Sequence, residues 1–236
     1  MMSKEVEPGA TGRSGKRGNE VFWTHPTKPG IIIARAISAK IAKLDEARKP
    51  HAVAFGSICH LSQRMVKAIR LGFPKNAVGQ KGANLFTKIN MKNAVAEGIQ
   101  TDPNTPVSMN KKAPEEFHAR IHYDRLLVAQ GSLEEPEVTL TIDKETRIAT
   151  FTQESKIIEG AINEKNDRVY AVIYDTVAES CIIRELRQRG ENGVTTILLP
   201  ERYAPDNLAI YSFATTYRGD VASNSHCLAS PTENEE

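Results

Sequence analysis

The run Gly9-Ala10-Thr11-Gly12-Arg13-Ser14-Gly15-Lys16 ends on a Gly-Lys pair, the arrangement a phosphate-cradling loop uses. The spacing fails the comparison. The leading glycine stands one position too far away, and Arg17 occupies the place where Ser or Thr would ligate magnesium. No buried strand precedes the run, so nucleotide hydrolysis is set aside in favour of a basic, tightly turning arm. His118 and His122 are four apart, a spacing that suits two metal ligands on one helix face. Read as a strand, the same segment holds them roughly 13 Å apart, too far to share an ion. Cys59-His60 and His226-Cys227 lie far apart in the chain, and no closed ligand spacing accompanies them. Glu115-Glu116, Glu134-Glu135 and Glu235-Glu236 sit in polar, loop-like stretches and read as solvated charge. There is no Gly-x-Ser-x-Gly elbow and no cysteine in a recognisable nucleophile context. The expectation is no catalytic residue, no metal and no cofactor.

Positive charge is the stronger signal. Arg13, Lys16, Arg17, Lys28, Arg35, Lys40, Lys43, Arg48, Lys49, Arg64, Lys67 and Arg70 crowd the first third of the chain. Residues 1–125 hold 21 Lys+Arg against 10 Asp+Glu, and residues 126–236 hold 10 against 19, so a net charge of +2 conceals opposed halves. Such a chain attracts phosphate backbones, acidic protein surfaces, or the opposite half of another copy. Six to ten phosphate contacts would lower affinity about 10³–10⁵-fold between 50 and 200 mM salt. No recognition motif accompanies the charge, and Trp23, Phe22 and Phe55, which could stack bases, read first as buried anchors of the hairpin.

The elements that would carry these residues are legible from periodicity. Glu20–Thr24 and Ile31–Arg35 flank a Pro/Gly turn and predict a hairpin holding Trp23. Ala54, Ile58, Leu61, Met65 and Ile69 predict an amphipathic helix over about 50–72, with Ser57, His60, Arg64 and Lys67 outward. A second helix is expected over 83–97, with Leu85, Phe86, Ile89 and Val95 inward. From Phe117 the period turns strand-like. Strands are expected at 138–142, 147–152, 169–175, 181–186, 194–199 and 208–217, with a closing run near 222–228. The tyrosine-bearing segments 170–174 and 211–217 are expected to form a central pair.

A length of 236 residues with 40% hydrophobic and 25% charged content fits one large or two small globular domains. No apolar run approaches the roughly 18 residues of a membrane span, and the polar start has no signal-peptide core. Three scattered cysteines give no secreted disulfide framework, so a cytoplasmic protein is expected.

Ser14–Asn19 followed by Trp23, Arg70-Leu71-Gly72-Phe73, Ala83–Phe86 through Met91–Val95, Tyr123–Leu133, Tyr170–Tyr174 and Gly219–Ser225 stand in order along the chain. Taken together, these segments resemble an uncharacterised family common in Bacteroidota, domain of unknown function number 6266. The resemblance implies a helical N-terminal half, a C-terminal β-sandwich similar to fibronectin type III modules, and no assigned activity. Asp45–Pro50 departs from the glutamine-rich helix start of many members. The expected fold is therefore α+β: a mainly helical N-terminal half with a small β-hairpin, then an all-β immunoglobulin/fibronectin-like sandwich. Its parts are a basic Gly-rich arm (1–20), a hairpin plus two-helix region (21–116), a sandwich (117–229) and an acidic tail (230–236). The expected role is a non-enzymatic structural or interaction protein acting on a protein partner or on itself. The alternative is sequence-tolerant nucleic-acid binding by the basic third. Arg13, Lys16, Arg17, Trp23, Arg64 and Lys67 are the expected interaction residues; no small-molecule substrate is inferred.

Overall fold

The computed structural model describes residues 4–6, 15–17, 20–24, 32–36, 48–74, 82–104, 116–157 and 162–231. The chain divides into two compact units, Met1–Leu44 and Asp45–Glu236. In the first, β1 (Lys4–Val6), β2 (Gly15–Arg17), β3 (Glu20–Thr24) and β4 (Ile32–Ala36) form an antiparallel sheet in the order β1-β4-β3-β2. The expected hairpin is its central pair, with Trp23 opposite Ile33 and Thr24 opposite Ile32. The basic arm is not separate from this sheet, because β1 and β2 add strands to either side of the hairpin.

The second unit begins with α1 (Arg48–Arg64) and α2 (Val66–Gly72), which the sequence reads as one helix. Met65 interrupts the helical geometry at φ −100, yet Met65 N–H still reaches Leu61 O and Ile69 N–H reaches Met65 O. The apolar stripe therefore continues across the break, and Ala54, Ile58, Leu61, Met65 and Ile69 are all buried. Then come α3 (Gly82–Lys92) and the antiparallel pair β5 (Ala96–Gln100) and β6 (Phe117–Ile121).

Seven strands follow. They are β7 (Glu137–Asp143), β8 (Ile148–Glu154), β9 (Arg168–Asp175), β10 (Ser180–Gln188), β11 (Gly193–Leu198), β12 (Leu208–Thr215) and β13 (His226–Ala229). They form two antiparallel sheets, β10-β9-β12-β13 and β11-β8-β7. The tyrosine-bearing strands β9 and β12 are the central pair, with Ala209 opposite Tyr174 and Phe213 opposite Tyr170.

Alternation along β9 and β12 builds two cores from one sheet. Val169, Ala171, Ile173, Leu208 and Ile210 join Val138, Ala149, Phe151 and Ile197 of the three-stranded sheet. Tyr170, Val172, Tyr174, Tyr211 and Phe213 meet Ile58, Leu61, Met65, Ile69 and Phe86 of the helices. The unit thus has three layers, and a strand buried on both faces reads as a continuous apolar run. Helices and strands share a core, so this unit shows no division near 116–117, and the acidic tail beyond Pro231 lies outside the described residues.

Two buried polar fixtures hold the layers. Asn90 donates to Phe86 O and Leu127 O and accepts from Leu127 N–H, tying α3 to the stretch before the strands. Arg189 and Asp167, each 1% exposed, pair at 3.0 Å, and Arg189 Nη2 donates to Glu134 O at 2.8 Å. Close approach fixes Gly72 as well: a Cβ there would collide with the backbone of Val128 and Ala129.

Candidate interaction surface

The six residues singled out from charge and aromatic content fall in different units. Arg13 lies outside the described residues. Lys16 and Arg17 stand on the edge strand β2, in register with Val21 and Glu20, and Trp23 stands on β3 between two strands. Arg64 and Lys67 are both exposed at the α1–α2 junction. Arg64 is already engaged: its Nη2 lies 2.8 Å from Glu179 Oε2 in the β9–β10 turn, and His60 approaches the same carboxylate at 3.8 Å. Arg64 therefore presents less free charge to a partner than its sequence position suggests, while Lys67 is exposed on α2.

Two of the three thiols, Cys181 and Cys227, are arranged against nucleophilic chemistry. Burial pushes Cys181 up to about 12, and burial with the nearby Asp124 charge pushes Cys227 up to about 11, so both hold their protons at neutral pH. Burial likewise raises Tyr123 to about 12 and drives Tyr174 and Tyr211 higher; Tyr211 Oη donates to Tyr123 O at 2.7 Å. His118 is on β6, but that strand ends at Ile121, and His122 turns to Glu97 at 3.1 Å. The two histidines are therefore not neighbours along one strand face. Among the described residues no group of three or more His, Cys, Asp or Glu side chains could hold a metal ion. No helix among them is long and apolar enough to cross a membrane.

Among the described residues, two shallow clefts lie beside the strands. One, of about 450 Å³, runs along β13 and is lined by Asp124, Glu135 and residues 225–230. The other, of about 430 Å³, lies among Glu164, Asn166, Thr216, Tyr217, Arg218 and Asp220. In the first, His226 sits 3.8 Å from Glu135, but the adjacent Cys227 is the protonated, half-buried thiol described above. That combination does not make an activated nucleophile.

A surface the charge count overlooks is the outer face of β11-β8-β7. Thr139 and Thr141 on β7 lie opposite Thr152 and Thr150 on β8, which lie opposite Val194 and Thr196 on β11. Val194 and Leu198 are 49% and 68% exposed. The signal was present as the period-two spacing Thr139-x-Thr141, Thr150-x-Thr152 and Val194-x-Thr196-x-Leu198. On the first unit's sheet, Val21 and Phe22 are adjacent, so they point to opposite faces, and both are only half-buried; so are Ile33 and Ala34. No protein-family model matches the chain, and no curated protein matches it.

Proposed function

We propose that this chain is a non-enzymatic structural or interaction protein that works through protein–protein contacts, with association between copies foremost. The observation that carries this reading is that Val21, Phe22, Ile33 and Ala34 of the N-terminal sheet are only half-buried. Sheets become stable by burying a face against another layer, and a unit of 44 residues sits near the lower limit for a self-sufficient core. Val21, Phe22, Ile33 and Ala34 leave apolar surface on both faces, which a partner would cover. The opposed charges of residues 1–125 and 126–236 supply a partner of the right sign in another copy.

Membership of the Bacteroidota family and a fibronectin type III-like arrangement belong to this proposal. The ordered motif segments support the first, and two antiparallel sheets facing one another across a shared core support the second. A helical layer over the four-stranded sheet departs from a bare sandwich. A cytoplasmic setting is part of the same reading, consistent with three free cysteines.

The test is light-scattering mass on a sizing column at low and high salt, with the nucleic-acid to protein absorbance ratio recorded. The expected result is a protein-only mass of more than one chain that falls as salt rises. A nucleic-acid signal that salt strips away would transfer the function to the basic third. A single-chain mass at every salt and concentration would refute association between copies.

A further inference from the structure

The outer face of β11-β8-β7 has a composition that selects a partner. Its positions are Glu137, Thr139, Thr141 and Asp143 on β7, Ile148, Thr150, Thr152 and Glu154 on β8, and Val194, Thr196 and Leu198 on β11. Its two middle rows hold five threonines and Val194; Ile148 and Leu198 share one end row with Asp143; Glu137 and Glu154 make the other end, and no Lys or Arg occurs among the eleven. Asp143 is held ionised, its pKa lowered first by the Thr146 hydroxyl and then by the N–H groups of Thr146 and Glu145. The neighbouring cation Lys144 is turned to Asp206, and Arg187 donates to Val194 O at the β11 edge. Exposed sheet faces usually interleave charges of both signs; on this one the only charges are negative, beside threonines and aliphatic side chains.

The first compact unit has the complementary character. Residues 1–44 carry eight Lys+Arg against three Asp+Glu, and the sheet within them leaves Val21, Phe22, Ile33 and Ala34 half-covered. We infer that the outer face of β11-β8-β7 receives the N-terminal unit of a second copy, sheet against sheet, and that two copies exchange these units reciprocally. The inference rests on the self-association reading above and adds its surface and its occupant.

Area decides for reciprocity. Three strands about 4.8 Å apart, with residues rising about 3.4 Å, give a face of roughly 14 by 23 Å, or about 330 Å². One contact, counting both partners, removes about 660 Å² from water, too little for a stable complex. Two equivalent contacts remove about 1,300 Å², within the range of roughly 1,200–2,000 Å² typical of specific interfaces. Charge steers the encounter and makes it salt-sensitive, while burial of Val194, Ile148 and Leu198 keeps part of the affinity at high salt.

The experiment is sedimentation equilibrium of the full chain at low (about 0.05 M) and high (about 1 M) ionic strength. The wild type is compared with Thr139→Lys/Thr196→Lys, whose new charges sit in the centre of the face. A matched control, Glu185→Lys, adds positive charge on exposed β10 away from it. Far-UV circular dichroism and thermal midpoints verify that both variants keep the wild-type fold. The expected result is a salt-sensitive dimer whose dissociation constant rises at least about tenfold in the double variant and stays unchanged in the control. Equal weakening by both variants, or none by the double variant, overturns this inference and leaves self-association standing. A monomeric wild type overturns both.

Discussion

Replacing Arg189 with Met is the sharpest single perturbation of the second unit. The guanidinium holds Asp167 at 3.0 Å and the Glu134 carbonyl at 2.8 Å, and both charged side chains are 1% exposed. Methionine fills similar volume but leaves the Asp167 carboxylate buried, with only the Glu164 N–H on Oδ2 in compensation. Breaking a buried pair by removing one partner costs about 3–5 kcal/mol. Domains are stable by about 5–15 kcal/mol, so this is a large fraction. At about 2–4 °C per kcal/mol for a unit of this size, the midpoint falls by roughly 6–20 °C. The double variant Asp167→Asn/Arg189→Met removes the orphaned charge and should recover at least about 1 kcal/mol relative to the single. The single tryptophan is Trp23 in the first unit, so unfolding of the second is followed by far-UV circular dichroism and tyrosine fluorescence in urea. A loss under about 1 kcal/mol in Arg189→Met, or a double variant equal to the sum of its singles, would refute the reasoning.

Asn90→Ala removes three hydrogen bonds and strands the half-buried Leu127 N–H, and is expected to cost about 2–4 kcal/mol in a urea melt; a loss within 0.5 kcal/mol would show that the clamp is dispensable. Cys181 should resist iodoacetamide at about pH 8 in the native protein and react fully in urea, because burial keeps its thiol protonated. Native alkylation as fast as denatured would contradict that burial. Stability should also fall as pH rises from the ordinary thiol value of 9.0 towards about 12. Below that window both states keep their thiol protons, whereas within it only the unfolded chain releases them. A urea midpoint that is flat or rising through that window would count against the buried cysteines.

The helix stripe and the strand sequence were legible because burial imposes a period that the residues record. Ala54 through Ile69 kept their spacing across the break at Met65, since the hydrogen bonds run through it. The end of α3 was not legible for a specific reason. Val95 N–H bonds Asn90 O and Ala94 N–H bonds Met91 O, a Schellman closure, but the left-handed position is Ala94 at φ 50. Without the usual glycine the stop signal is missing, and the helix expected over 83–97 runs past Lys92 to the first two residues of β5. The helical cover on β9 and β12 was hidden differently. Val169–Tyr174 and Leu208–Phe213 announce burial on both faces, but a local pattern does not say which layer supplies the second cover. Charge in the sequence marks Arg64 as an interaction residue but cannot reveal that Glu179 already engages it. The threonine face was missed because uncharged alternation looks like ordinary strand propensity.

The central claim is that the half-covered N-terminal sheet completes its burial against another copy. Amide hydrogen exchange read by mass spectrometry, at dilute and at concentrated protein in low salt, tests it directly. The account predicts concentration-dependent protection in peptides spanning residues 20–36 and 193–198, lost again in high salt. Identical exchange in these segments at both concentrations, in a protein whose second unit is folded throughout, would contradict it.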